Sequence, residues 1–152
     1  MPSVPGMSQP EIDEFLANSK ILLRLGTVDL KGDPMIHPVW YHYMNGKLYL
    51  MTYKNSLKVR NMNRKNAVYF SVDTEATPTK PNRGVKGKGT AAIVHDAGES
   101  LSISEKIVTK YLGNADSGLG KGMMDEVRKG SEVLVEISPR YFSTWDYGKM
   151  KF

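Results

Sequence analysis

Cysteine is absent from this chain of 152 residues. Its absence excludes disulfides, thiolate nucleophiles, zinc–cysteine sites and iron–sulfur clusters. Long apolar runs are missing too, since no segment approaches the roughly 20 residues that a membrane-spanning helix needs. The first ten residues lack the charged and then apolar layout of a signal peptide. We therefore expect a cytoplasmic protein that does not insert into a membrane, with a mobile segment at residues 1–8.

Acidic residues are in the minority, because 21 Lys and Arg stand against 16 Asp and Glu, a formal net charge of +5. This excess suggests an anionic partner, but it does not choose among nucleic acid, phosphate ligands and acidic coenzymes. Internal repeats and low-complexity segments are also absent. The length suits one domain, residues 1–152, with a sizeable core.

Apolar periodicity predicts about seven strands and three or four helices. Ser8 and Glu11 form a capping box that opens a first helix. A meander of three strands follows, "LLRLGTVD", "MIHPVWYHYM" and "KLYLMTY", with a hairpin turn at Asn45-Gly46. The remaining predicted strands are "AVYFSVD", "VKGKGTAAIV", "SEVLVEIS" and "RYFSTWDY".

Two segments late in the chain carry helix and loop signals. A second capping box, Ser102 and Glu105, predicts a helix start, and the Gly-rich "GNADSGLGKGM" is interpreted as a flexible linker. Antiparallel hairpins dominate the whole pattern. We therefore predict a mainly β fold, a closed or nearly closed antiparallel β-barrel with a few helices.

The stretch "TYKNSLKVRNMNRK" gathers anion partners where a strand ends. If a helix begins near Ser56, its first amides are unpaired and carry the positive end of the helix dipole. Lys58 lies in the first turn, where a basic side chain opposes the dipole unless an anion lies between them. Thr52 and Asn61 are within reach of the same point, so these four residues predict a phosphate site. The alternative is a solvated basic helix that follows a strand by chance.

The segment "HPVWY" is the second candidate feature. Pro38 removes one ladder donor, so its strand lies at an edge or is locally interrupted. Trp40 beside it could cover a planar ligand, with neighbouring backbone groups free to bond that ligand. The alternative is a Trp in the core or in a dimer interface.

Several other kinds of site are disfavoured by the sequence. His37 and His42 are five residues apart and His95 is remote, so we expect no metal site. There is no Gly-x-Ser-x-Gly elbow, no plausible triad and no phosphate loop, and no side chain stands out as a general acid or base. Nucleic-acid binding is also disfavoured, because the basic residues cluster at one turn and form no long stripe.

The ordered combination of these motifs resembles the pyridoxamine 5′-phosphate oxidase-like superfamily. The motifs are "GTVD", a Gly-Asp-Pro turn, "HPVWY", "NGKLYLMT", the Thr52, Ser56, Lys58 and Asn61 set, "AVYFSV" and "VKGKGTA", with a weaker match at "ISPRYFSTWD". The resemblance implies the FMN-binding split β-barrel fold. It also implies a homodimer with cofactor at the subunit interface. Phosphate would be held by Thr52, Ser56, Lys58 and Asn61, and the ring system by the backbone of Pro38, Val39 and Trp40.

Departures from the family pattern narrow the function. The chain lacks the Arg-x-His-x-Arg substrate motif of the true oxidase, so pyridoxamine phosphate is not the expected substrate. Val85 stands where the oxidase has a polar residue. The "PVWY" and "VKGKGTA" segments look closer to a branch that uses the deazaflavin coenzyme F-420, whose acidic tail could meet basic residues, namely Lys80, Arg83, Lys86 and Lys88.

The resulting prediction is an oxidoreductase that uses FMN, or alternatively the deazaflavin F-420, for hydride transfer to a small organic substrate. Three alternatives stay open. They are a protein that binds the cofactor without catalysis, a protein that binds nucleic acid, and a barrel with an empty site.

Overall fold

Within the residues that the structure describes, seven antiparallel strands curl into a barrel with four α-helices outside it. The structure is a computed structural model and describes residues 3–151. The strands are β1 (Leu23–Val28), β2 (Pro34–Val39), β3 (Tyr41–Met44), β4 (Lys47–Tyr53), β5 (Ala67–Asp73), β6 (Arg83–Ile93) and β7 (Glu132–Asp146). The helices are α1 (Gln9–Asn18), α2 (Leu57–Arg64), α3 (Ala97–Leu112) and α4 (Gly118–Lys129), and a 3₁₀ turn covers Tyr147–Lys149. The predicted mainly β, antiparallel barrel is confirmed.

The order of strands in the sheet explains the closure of the barrel. The order is β2-β1-β5-β6-β7-β4-β3, so β2 and β3 lie at opposite edges although only Trp40 separates them in the chain. The chain must cross from one edge to the other within that residue, which requires the two edges to approach each other. The single strand predicted over residues 35–44 is therefore wrong. The expectation that Pro38 lies at a sheet edge or an interruption is confirmed.

Strand β7 shows the opposite kind of error, because the sequence analysis divided this one strand into two. The two strands predicted on either side of Pro139 are one strand of 15 residues. A β-bulge makes this possible, because the register with β6 shifts between Lys88 and Gly89, opposite the proline. A bulge tolerates a residue that cannot donate to the ladder. The predicted number of strands is thus confirmed, but two of the predicted strand divisions are not.

Both faces of β4 are buried, and this strand joins the two hydrophobic clusters of the protein. Leu48 and Leu50 point into the barrel, whereas Tyr49 and Met51 point outward and pack under α3 and α4. Burial of each such side chain contributes about 1.5–3 kcal/mol. Strand β4 is consequently held firmly up to its end at Tyr53, where the candidate site begins.

Two helices differ from the sequence prediction. Helix α3 begins at Ala97, where Asp96 accepts a hydrogen bond from the backbone of Glu99, so the capping box predicted at Ser102 is wrong. The predicted flexible linker is wrong as well, because most of that segment lies in α4. Its glycine content has a packing reason: a Cβ at Gly120 would lie 1.8 Å from the carbonyl oxygen of Asn114.

The start of the chain is tied to its end. The backbone of Met7 donates to Thr144 Oγ1 over 2.8 Å, and the backbone of Asp146 donates to the carbonyl of Pro5 over 2.8 Å. Ser8 caps α1 in the predicted capping box with Glu11. Residues 5–8 therefore take part in hydrogen bonds. The mobile segment expected at residues 1–8 stays a prediction, and residues 1–2 lie outside the described part.

Candidate functional site

A cavity of about 370 Å³ opens where β2 and β4 end and α2 begins. Six of the seven predicted site residues line it, namely Pro38, Val39, Trp40, Thr52, Ser56 and Lys58. They come from two segments that the sequence separates by eleven residues and that the barrel brings to one corner. The structure thus assembles the two candidate features of the sequence into one concave site.

The start of α2 supplies the hydrogen-bond donors of this corner. Ser56 is the N-cap and its hydroxyl accepts from the Val59 amide at 3.4 Å, a long contact. The same Ser56 hydroxyl oxygen lies 3.4 Å from Thr52 Oγ1. Among the described residues, the amides of Leu57 and Lys58 make no hydrogen bond. Unpaired first-turn amides with the positive end of the helix dipole bind anions.

Lys58 is the only basic residue that lines the described cavity. No carboxylate in the described part of the chain lies within ion-pair distance of its ammonium. The charge of Lys58 is nevertheless felt nearby: burial and then this ammonium lower the pKa of His37. Within the described part of the chain, the buried Nε2 of His37 has no hydrogen-bond partner. The corner therefore carries an unneutralised cation, as an anion site requires.

Trp40 forms the aromatic wall of the cavity. Its ring stacks on Tyr111 of α3, with centroids 5.3 Å apart and planes within 5° of parallel. The Tyr111 hydroxyl donates to the carbonyl of Ile21 at 2.8 Å, so the stack is anchored. Beside it, Pro38 and Val39 belong to β2, which pairs only with β1 in the described sheet and leaves its other edge without a strand partner.

Asn61 is the predicted site residue that does not line the cavity. It is a fully buried residue of α2. Its Nδ2 donates to Thr27 Oγ1 at 3.1 Å and to Met35 Sδ at 3.4 Å. These bonds fix α2 to β1 and β2. Direct contact between Asn61 and a phosphate stays a prediction; in this structure its contacts position the helix.

Five further residues line the cavity and were not predicted as site residues from the sequence: Leu22, Met51, Tyr53, Met123 and Glu132. Met123 belongs to α4, which had been interpreted as a linker, so no signal pointed to it. Glu132 opens β7 and lies opposite Tyr53 in the register. Burial raises the pKa of Glu132, and Glu126 also raises it, against the opposing effect of the Lys58 ammonium. Only knowledge of the pairing between β4 and β7 would have placed Glu132 at this site.

A second concave surface lies on the outer face of the sheet. This outer groove has a volume of about 410 Å³ and is lined among others by Ile36, Tyr69 and Tyr141. Those three side chains are 73%, 56% and 49% exposed, which is high for large apolar groups. Arg24 lines both the outer groove and a further hollow that shares Leu22 with the cavity. The groove and the cavity are therefore neighbours on the barrel surface.

The other residues named from the sequence are dispersed. Val85 is fully buried in the barrel core. Of the basic residues proposed to meet an acidic tail, Lys86 lines the outer groove, whereas Arg83 lies over the Phe15 ring at 5.1 Å. No group of three or more metal-ligating side chains occurs among residues 3–151. In the same part of the chain, no helix is both long and apolar enough to cross a membrane.

Comparison with known proteins places this geometry in a family. A family model described as pyridoxamine 5′-phosphate oxidase matches residues 8–146, and the chain belongs to that family. A comparison with curated proteins finds no match.

Solved structures with the same fold are numerous. The conserved hypothetical protein Rv2991 from Mycobacterium tuberculosis is 27% identical, with a TM-score of 0.80 over 98% of this chain and 92% of that one. An F420 reductase is 24% identical, with a TM-score of 0.66 over 86% and 94% of the two chains. A FAD-binding protein from Mesorhizobium loti is 18% identical, with a TM-score of 0.69 over 93% and 96%. The last two likenesses show the fold.

Proposed function

We propose that this protein binds a flavin-type cofactor, FMN or the deazaflavin F-420, in the cavity at the start of α2 and acts as an oxidoreductase. The observation that carries the proposal is the meeting of two unpaired amides, two hydroxyls and one ammonium at the end of the cavity that faces Lys58. This donor set matches the oxygens of a phosphate. The names of two structural neighbours, an F420 reductase and a FAD-binding protein, support the same class of cofactor.

The residues present fit such a cofactor. Thr52, Ser56 and Lys58 would hold the phosphate, with Asn61 fixing the helix behind them or contacting the phosphate directly. The free edge of β2 at Pro38 and Val39 would bond the ring system, and Trp40 would cover it. When bound, the cofactor supplies hydride transfer to a small organic substrate. The chain's own residues bind it, orient it and exclude water from one side.

The proposal includes a homodimer. The outer groove exposes Ile36, Tyr69 and Tyr141 beside the cavity, so a second copy seated there would cover apolar surface and border the cofactor at the same time. Light scattering on the eluted protein tests the dimer. A dimer that Tyr69→Lys converts to a monomer supports this face, and an unchanged dimer contradicts it. The cytoplasmic location expected from the sequence stays a prediction.

The cofactor site is tested by replacing Lys58. Lys58→Ala removes one charged hydrogen bond, worth about 1.5–3 kcal/mol, so FMN affinity should fall about 10- to 150-fold. The measurement is a fluorescence titration of the purified protein with FMN, and with F-420 as the second ligand. The matched control is Lys65→Ala, which removes the same charge from the exposed C-terminal end of α2.

The outcomes separate the alternatives. Equal affinity in Lys58→Ala and the Lys65 control would remove Lys58 from the phosphate role. Visible absorption of the purified protein distinguishes a flavin from a deazaflavin. Turnover with a reductant separates an oxidoreductase from a protein that only carries the cofactor.

A further inference from the structure

Glu132 is a carboxylate in the wall of a cavity whose other features suit an anion. It is the only acidic residue among the described residues that line the cavity, and Lys58 is the only basic one. The two side chains form no ion pair, but they act in opposite senses on an anion that enters the cavity. An unopposed phosphate site would carry an excess of positive charge.

The backbone holds Glu132 at this place. It begins β7 and pairs with Tyr53, and the backbone amide of Lys54 donates to the carbonyl of Ser131 at 2.8 Å. These bonds fasten the start of β7 to the turn that leads into α2. The carboxylate of Glu132 is thus placed by two paired strands and not by a mobile loop.

The carboxylate of Glu132 has no partner of its own among residues 3–151. No side chain or amide there donates to it, and no cation lies within ion-pair distance. The neighbouring Ser131 hydroxyl donates to Glu126, which also pairs with Lys129 at 3.4 Å. Glu132 is half-buried, and a half-buried charge without a partner costs free energy. The negative charge of Glu132 therefore acts on any charged ligand that enters the cavity.

We propose that Glu132 is the specificity residue of the proposed cofactor site, and that it shifts the preference of this site from a doubly charged phosphate toward a singly charged one. The inference rests on the proposed function. A phosphate monoester carries about −1.5 to −2 charges at pH 7, whereas a phosphodiester carries a single charge. Repulsion from a fixed carboxylate roughly doubles with the charge of the ligand. Attraction to Lys58 grows with ligand charge in the same way, so Lys58 favours the doubly charged ligand and Glu132 opposes that preference.

The test compares three flavins that share one ring system. FMN is the doubly charged monoester, riboflavin 4′,5′-cyclic phosphate is the singly charged diester, and riboflavin has no phosphate. For an effective dielectric constant of about 40, a unit charge about 6 Å away changes a binding constant roughly tenfold. Glu132→Gln should therefore tighten FMN binding by about tenfold or more, tighten the cyclic phosphate by a smaller factor and leave riboflavin unchanged.

Two further variants control the comparison. Glu132→Asp keeps the charge on a shorter side chain, so the ratio of FMN to riboflavin affinity should stay near that of the wild type. Glu14→Gln removes one carboxylate from the exposed face of α1, away from the cavity, and should leave all three affinities unchanged. Circular dichroism checks that each variant is folded.

The possible failures are distinguishable. An unchanged FMN affinity in Glu132→Gln, with flavins still bound, would overturn the selection by Glu132 and leave the proposed function standing. An equal gain for riboflavin would mean that the residue acts through packing, which also overturns the proposal. If neither flavin nor F-420 binds to any variant, the proposed function and this inference fall together.

Discussion

Asn61 has two possible roles, direct contact with a phosphate or positioning of α2, and one substitution distinguishes them. The perturbation is Asn61→Ala. In the wild type, the buried Asn61 amide donates to Thr27 Oγ1 and Met35 Sδ, and its Oδ1 accepts from Arg64 at 3.4 Å. The substitution removes all three contacts and leaves the Thr27 hydroxyl, 2% exposed, without this donor.

The magnitude follows from those contacts. Loss of the hydrogen bond to Thr27 costs about 0.5–1.5 kcal/mol, and a buried hydroxyl left unsatisfied costs about 1–3 kcal/mol. The truncated amide also leaves a small void. We expect the free energy of unfolding to fall by about 2–4 kcal/mol, a large share of the stability of a domain of this size.

The assay is equilibrium unfolding in urea, paired with an FMN titration under native conditions. A matched control is Thr27→Val, which removes only the hydroxyl partner at nearly the same volume. The double variant completes a cycle, and its coupling free energy should be about 1 kcal/mol because the two side chains bond directly. In the folded fraction, FMN affinity should change by less than threefold if Asn61 acts only on the helix.

The opposite pattern would refute this reasoning. A variant of wild-type stability that binds FMN more than tenfold more weakly would show that Asn61 turns toward the phosphate when the cofactor binds. That result would restore the direct role that the family resemblance implies, and it would show that the bond to Thr27 contributes little.

Two further predictions concern the frame around the site. Gly120→Ala should destabilise the protein by about 2–4 kcal/mol in thermal unfolding, because the new Cβ would overlap the carbonyl of Asn114; Gly122→Ala, which meets nothing within 4 Å in the same helix, should be neutral or stabilising. Lys149 donates to the Glu11 carboxylate at 2.7 Å, and this bond, followed by the hydrogen bonds from Ser8, lowers the pKa of Glu11 from 4.5 to about 2. Glu11→Gln should therefore lower the melting temperature at pH 7, and the difference should vanish as the pH falls from 4.5 toward 2.

Local signals in the sequence predicted the parts of the fold that local chemistry decides. The Ser8 capping box forms because its partner Glu11 is three residues away. The Asn45-Gly46 turn forms because both residues adopt positive φ, 54° and 74°, which this pair tolerates. The alternation along β4 holds because each face meets its own hydrophobic cluster.

The errors in the predicted elements arose where contacts between residues far apart in the sequence determine the structure. The break at Trp40 depends on the closure of the barrel, which brings two sheet edges together and leaves no trace in the segment itself. The glycines of α4 look like a linker because their purpose is a close approach to Asn114, a contact that periodicity does not encode. Asp96 caps α3 ahead of Ser102, since both positions carry acceptable capping residues and the longer helix covers more of β4.

The candidate site was predictable to the same degree and for the same reason. Thr52, Ser56 and Lys58 lie within seven residues, so a helix start brings them together without help from the rest of the chain. Asn61 is on the same helix, but the barrel decides which of its sides faces β1. Glu132 arrives about eighty residues after Thr52 through strand pairing, and only the assembled sheet shows that a carboxylate shares the cavity.

The cavity lies where backbone groups at the edge of β2 and at the start of α2 have no hydrogen-bond partner in the described fold. Strand β2 is an edge strand that ends at Val39, so its outer side has no ladder. Helix α2 begins at the same cavity, and the amides of Leu57 and Lys58 have no hydrogen-bond partner among residues 3–151. Backbone groups of both kinds need partners when water is excluded. A ligand with a polar ring edge and an anionic end would supply partners to both at once, which supports the proposed phosphorylated flavin as the occupant of this cavity.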